Sequence, residues 1–210
     1  MSLHFMIGLI GLLYIVLFGG LALMRREGLS LRFAMEAVIL TALAMILVVL
    51  TPIQIHPVLF LLVLYLITLR ARILVDLASF FARRGRYALA ERLFNIAERL
   101  WPDPPGDLII KVNRATMLLI ENKLDEAIAL FKEVLNPDKH AYLGVKYEAA
   151  AHFNLGVAYL RNESHSMATI EFNSTIDTWP ASLYAQSAQQ ALDRQRHKEG
   201  GAAEDTPANQ

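Results

Sequence analysis

The stretch from Phe5 to Met24 constrains this chain more than any other feature: it is an almost uninterrupted apolar run that ends at Arg25-Arg26. As an α-helix it is long enough to cross the roughly 30 Å of hydrocarbon in a bilayer. A first transmembrane helix is the expectation. A cleaved signal peptide is the competing reading, but no Lys or Arg precedes the run, and the charges follow it instead. A second apolar run spans Phe33 to Leu50 and a third runs from about Ile53 to Leu69, with Thr51-Pro52 and His56-Pro57 punctuating the turn between them. Together they predict a transmembrane hairpin. Each is near the lower limit of spanning length, which leaves a re-entrant or interfacial hairpin open. The 55% hydrophobic composition exceeds the apolar share of ordinary soluble chains, in keeping with surface that faces lipid.

Charge sets the expected orientation, because Lys and Arg stay on the cytosolic side during insertion. Arg25, Arg26 and Arg32 follow the first run, and Arg70, Arg72, Arg83, Arg84 and Arg86 follow the third, whereas residues 1–4 and 51–57 carry none. The N-terminus is therefore expected outside and everything after Arg70 in the cytosol, in a prokaryotic plasma membrane. Glu36 sits near the cytosolic end of the second run, where it reaches the interface or pairs with Arg32; a proton path is the alternative for an intramembrane acid. Gly8, Gly11, Gly19 and Gly20 offer close helix approach without a regular small-residue pattern. Val63 to Phe81 contains neither Gly nor Pro, so the third apolar helix is expected to run with little or no break into the soluble part.

Residues 71–198 are organised as an internal repeat. A first unit, 71–103, carries Leu74, Leu77, Ala78, Phe81, Gly85, Tyr87, Ala90, Phe94 and Ala97 and closes on Trp101-Pro102. A second, 108–137, carries Ala115, Leu118, Leu124, Ala127, Phe131 and Val134. A third, 149–180, carries Phe153, Leu155-Gly156, Tyr159, Ala168, Phe172 and Thr175 and closes on Trp179-Pro180. Ala78, Ala115 and Gly156 are small where two helices must cross closely, and Ala90, Ala127 and Ala168 are small on the second helices. Phe81, Phe94, Phe131, Tyr159 and Phe172 then fill the space between. Ser182 to Lys198 has Leu183, Ala185, Ala188 and Leu192 on one side and reads as a helix capping the third unit; residues 199–210 have nothing to bury and are expected to be disordered.

These positions resemble the tetratricopeptide repeat, whose units pair two antiparallel helices with a period near 34 residues. The resemblance covers roughly half the chain and is fullest in the third unit. The spacing departs from the pattern, at 37 residues from Ala78 to Ala115 and 41 from Ala115 to Gly156. The surplus falls in 102–106 and 136–145, which belong in loops or a lengthened helix start. The fold expected is all-α: transmembrane helices at 5–24, 33–50 and 53–69, then a helical-repeat solenoid over 71–198.

The resemblance also implies where a partner would sit, since the first helix of each unit lines a concave groove. Some members hold a partner's C-terminal carboxylate there with Lys, Asn and Arg. At the corresponding places this chain has Val75, Ser79, Ala150 and Asn154, with only Asn113 matching, so that clamp is not expected. An apolar groove of Val75, Ile109, Val112, Leu119, Phe153, Val157 and Leu160, with Asn113, would suit the apolar face of a partner helix or peptide. The other possibility is a groove filled by the chain's own C-terminal helix or too narrow to open.

Chemistry-bearing motifs are not found. There is no phosphate loop, no zinc-protease or hydrolase signature, no calcium loop and no cysteine. His152 and His165 could approach within the third unit, but helix surface and turn are their ordinary places; Glu126, Glu133, Glu148 and Glu171 read as solvated faces. The formal net charge of zero, with both signs interspersed, gives no basic stripe for nucleic acid. The expectation is a protein that is not an enzyme, with no cofactor, metal or small-molecule substrate. It is expected to be a membrane-anchored interaction scaffold or assembly factor, or alternatively a permanent structural subunit of a larger membrane complex. Bacterial assembly and secretion factors are similar in plan only.

Overall fold

A computed structural model describes residues 2–24, 31–136 and 143–204, and their regular structure is all helical. Helices α1 (Leu3–Met24) and α2 (Leu31–Leu50) are long and apolar enough to cross a membrane. Their outer surfaces stay apolar, with Leu12, Leu13 and Val16 on α1 and Val38, Ile39 and Leu43 on α2 exposed, as lipid rather than water favours. They meet at two of the four glycines. A Cβ on Gly8 would lie 3.1 Å from Met45 Sδ, and one on Gly11 would lie 2.5 Å from Thr41 Cγ2, while Gly19 and Gly20 face nothing within 4 Å. Tyr14, Phe18, Phe33 and Tyr65 group around this contact, and Tyr14 hydroxyl lies 2.7 Å from Thr68 Oγ1.

The third apolar run departs from expectation in two ways. It is helical only as α3 (Pro57–Thr68), twelve residues or about 18 Å, because Pro57 fixes the first helical φ and holds His56 extended at φ −68°, ψ 127°. His56 Nδ1 then accepts from Val58 N at 3.3 Å. The run also does not continue straight. α4 (Arg70–Arg83) follows after one residue, so no linker intervenes, but the two axes differ by 70°. Leu69 leaves helical geometry at φ −107°, ψ 14°. Arg70 Nη1 donates at 2.6 Å to Ile67 O, closing the end of α3, and at 2.6 Å to Glu36 on α2. Helix propensity favoured a straight rod; charged hydrogen bonds that only the tertiary fold assembles override it.

Helix pairs α4/α5 (Tyr87–Arg99), α6 (Pro104–Ile120)/α7 (Leu124–Val134) and α8 (Val145–Arg161)/α9 (His165–Thr178) form the three repeats. Each pair turns on one left-handed residue: Gly85 at φ 73°, Asn122 at 66° and Glu163 at 57°. The same hydrogen bond closes every turn, from Arg86 N to Phe81 O, Lys123 N to Leu118 O and Ser164 N to Tyr159 O, all at 2.9–3.0 Å. Opposite the turns, Ala78 and Ala115 are fully buried, and a Cβ on Gly156 would lie 2.7 Å from Phe172 Cε1. Phe94, Phe131 and Phe172 are likewise fully enclosed.

The spacing surplus lengthens helix starts. Asp103 caps α6 by accepting from Gly106 N at 3.0 Å, with Pro104 in the first turn where its missing N–H costs nothing. α8 begins at Val145, and residues 137–142 lie outside the described residues. α10 (Leu183–Glu204) covers α9 and part of α8 with Ala185, Ala188 and Leu192, and Ser182 Oγ caps it by accepting from Ala185 N at 3.0 Å. Leu183 is exposed rather than covered. α10 also extends through 199–204, a segment expected to be disordered; the helix already nucleated over 183–198 carries on through Gly200 and Gly201 in spite of their low propensity. The rest of the expected tail, 205–210, lies outside the described residues.

Candidate interaction surfaces

A polar constellation sits where the apolar helices meet the repeats. Glu36 accepts from Arg32 Nε at 2.8 Å and from Arg70 Nη1 and Nη2 at 2.6 and 3.0 Å. Arg32 Nη1 also donates to Trp101 O, and Arg70 Nη2 to Leu100 O at 3.5 Å. One carboxylate on α2 thus ties together the α2 start, the α3–α4 bend and the connection after α5. Arg32 was the partner expected from the i,i+4 spacing; Arg70, 34 residues away, was not foreseen, although it is the first cation after the third apolar run. The triad fixes the repeats against the apolar helices.

Along the first helices of the repeats, neighbouring units are joined by polar bonds. Ser79 Oγ donates to Asn113 Oδ1 at 3.2 Å, Asn154 Nδ2 to Thr116 Oγ1 at 3.2 Å, and Arg161 Nη1 to Leu119 O at 3.0 Å. Asn113 also donates to Ile109 O at 2.8 Å, so its amide is engaged within the solenoid. Of the apolar groove expected on this face, Val75, Val112 and Leu119 are buried in the core and do not line an open surface. Phe153 packs at 5.9 Å from the Phe172 ring and 5.8 Å from Tyr184 of α10, so the C-terminal helix covers this end. Ile109, Val157 and Leu160 remain partly exposed, joined by the exposed Ile120. Burial separates the two sets because each first helix turns one side to its own partner and another to the next unit, and the sequence period alone does not separate those sides.

Of the acidic residues read as solvated, Glu171 is instead enclosed between helices, while Glu133 is exposed as expected. Glu171 Oε2 lies 2.7 Å from His152 Nδ1 across the α8–α9 interface, and His165 is exposed at the start of α9, so the two histidines do not meet. Glu133 bonds Lys111 Nζ at 3.0 Å, with Asp107 at 3.1 Å on its other side. Burial pulls the Lys111 ammonium down, but the hydrogen bonds to Glu133 and Asp107 outweigh it and leave its pKa above the ordinary value. Arg114 joins α6 to α5 through Glu98 at 2.6 Å and Asn95 at 2.9 Å. Among the described residues no cluster of three or more His, Asp or Glu could hold a metal ion.

The threefold turn, the small crossing residue and the enclosed phenylalanine recur at equivalent places, and residues 75–143 match the family model for the tetratricopeptide repeat. That segment belongs to the tetratricopeptide-repeat family. The matched segment covers the first two tetratricopeptide units and reaches the approach to the third. The third unit, which carries the repeat residues most fully, lies beyond it and shares its turn geometry. No curated protein and no solved structure matches the chain.

Proposed function

We propose that this protein is a membrane-anchored scaffold or assembly factor that presents its repeats to a partner protein on the cytosolic side. One observation carries the reading: a single residue separates apolar α3 from the first repeat helix, and the Arg32–Glu36–Arg70 triad clamps that junction. A repeat domain on a free tether would search a wide volume, whereas this one is held at one height and angle. Such geometry suits a client embedded in, or emerging from, the same membrane. Cytosolic placement rests on the arginine asymmetry around the apolar runs.

The partner surface we favour is formed by the exposed Ile120 and the partly exposed Val157 and Leu160 on the first helices of units two and three. Repeat surfaces of this kind bind helices or extended peptides. The test is recovery of bound proteins from solubilised membranes with Ile120→Asp and Val157→Asp introduced together. Loss of partners with unchanged helix content supports this surface; retention at wild-type levels refutes it. Sizing of the extracted wild-type protein separates a free adaptor from a stoichiometric subunit of a larger complex. Because the chain has no cysteine, a single Ser174→Cys change tests orientation. The new thiol should resist impermeant reagents in intact cells, and ready labelling would invert the topology.

A further inference from the structure

α4 turns Val75, Ala78 and Ala82 into the repeat core. On the opposite side Ile73, Leu77, Phe80 and Arg84 recur at helical spacing. Leu77 is 41% and Phe80 45% exposed, and the Arg84 guanidinium lies 4.1 Å from the centre of the Phe80 ring. No repeat precedes α4, so the neighbour that covers the first helices of units two and three is missing here. A soluble solenoid meets that need with a polar terminal face. This one ends on an apolar stripe with Arg83, Arg84 and Arg86 exposed at its far end.

Three features orient that stripe. α4 leaves α3 at 70°, so it lies closer to the plane in which the apolar helices end than to their axis. A cleft of about 650 Å³ lies between Phe18, Gly19 and Leu21 of α1 and Arg72, Ile73 and Asp76 of α4, so the stripe borders the cleft through Ile73 at its first turn. Trp101 borders the same cleft, 78% exposed and held at φ 49°, with its carbonyl bonded by Arg32. An exposed indole at the level where apolar spans end is characteristic of a bilayer boundary.

We propose that the bilayer itself covers the open end of the solenoid. α4 lies in the lipid headgroup layer, with Leu77 and Phe80 against acyl chains, Arg83 and Arg84 on lipid phosphates, and lipid in the cleft beside Trp101. The inference rests on the membrane reading of α1–α3 and adds a second, peripheral contact to it. An apolar stripe bordered by guanidinium groups is the chemistry of an interfacial helix, and planar guanidinium matches phosphate oxygens. The consequence is that the outer face of the first unit is closed to protein partners, which must use units two and three.

The experiment uses the full chain reconstituted in phosphatidylcholine–phosphatidylglycerol vesicles, with single cysteines carrying a small fluorophore. Leu77→Cys and Phe80→Cys probes should be quenched at least about twofold more by brominated acyl chains than an Ile170→Cys probe on α9, and correspondingly protected from aqueous iodide. A Val63→Cys probe on α3 reports insertion separately. Lipid quenching at Val63 with iodide access at Leu77 and Phe80 equal to that at Ile170 overturns the docking but keeps the anchor. Loss of lipid quenching at Val63 overturns both. Probe-to-probe contact at Phe80 between copies, in place of lipid quenching, also overturns it by naming a second chain as the cover. Trp101 emission in the Trp179→Phe background gives a check without labelling and should likewise be quenched by brominated lipid.

Discussion

Replacing Gly156 with Ala tests the repeat architecture where it is tightest. Alanine is the better helix former, and propensity alone predicts a gain of about 1 kcal/mol. The added methyl, however, would lie 2.7, 2.8 and 3.3 Å from Cε1, Cδ1 and Cζ of Phe172. That ring has no exposed surface and is backed by Phe153 at 5.9 Å, so it has little room to retreat. Forcing a methyl group into a closed core costs about 1–3 kcal/mol, which leaves a net loss on the order of 1 kcal/mol. Ala78 and Ala115 show that units one and two accommodate a methyl at the equivalent place, so the tightness belongs to the α8–α9 crossing. The measurement is urea unfolding of the detergent-solubilised chain, followed by Trp179 emission at the end of the third unit in a Trp101→Phe background. Phe172→Leu should destabilise by itself and reverse the sign of the Gly156→Ala effect when the two are combined. A stabilised single variant, or changes that simply add, would show that the ring yields freely and that glycine is not required there.

Three further outcomes follow from the geometry. Glu163 occupies a left-handed turn at φ 57°, so Glu163→Gly should raise the third unit's unfolding free energy by up to about 1 kcal/mol; Gly85→Ala, where nothing crowds a Cβ, should lower stability by about 1–2 kcal/mol through the backbone alone. Gly11→Val should lower the thermal midpoint in detergent by forcing α1 from Thr41, while Gly19→Val, facing open space, leaves it unchanged. Burial first, and then the nearby Glu171 carboxylate, raise the Tyr159 phenol above its ordinary pKa, so its protonated form is favoured in the fold. Stability from this group is therefore intact below about pH 10 and falls as pH climbs further, and Tyr159→Phe should shift the alkaline unfolding midpoint upward; an unmoved midpoint would show that Tyr159 does not drive it.

The sequence by itself determined the kinds of helix and their order. An apolar run of twenty residues without charge, as at Phe5–Met24, has few places to go but lipid, and small residues paired with phenylalanines at recurring positions specify helix pairs that stack. Those signals are local or periodic, so they survive in one dimension. The repeat turns were partly visible for the same reason, through Gly85, but Glu163 shows that the backbone imposes its left-handed residue even where the side chain does not ask for it. What only the tertiary structure decided is direction and burial. The 70° turn at Leu69 sets Arg70 against a carboxylate 34 residues earlier, a bond that helix propensity cannot register. Val112 and Val157 were both expected to line the groove, yet Val112 is buried and Val157 remains partly open, because which side of a first helix meets its neighbour is set by packing between units. Local propensity and periodicity choose the elements; long-range charge pairing and the angles at which helices pack choose the surfaces they leave for partners and lipid.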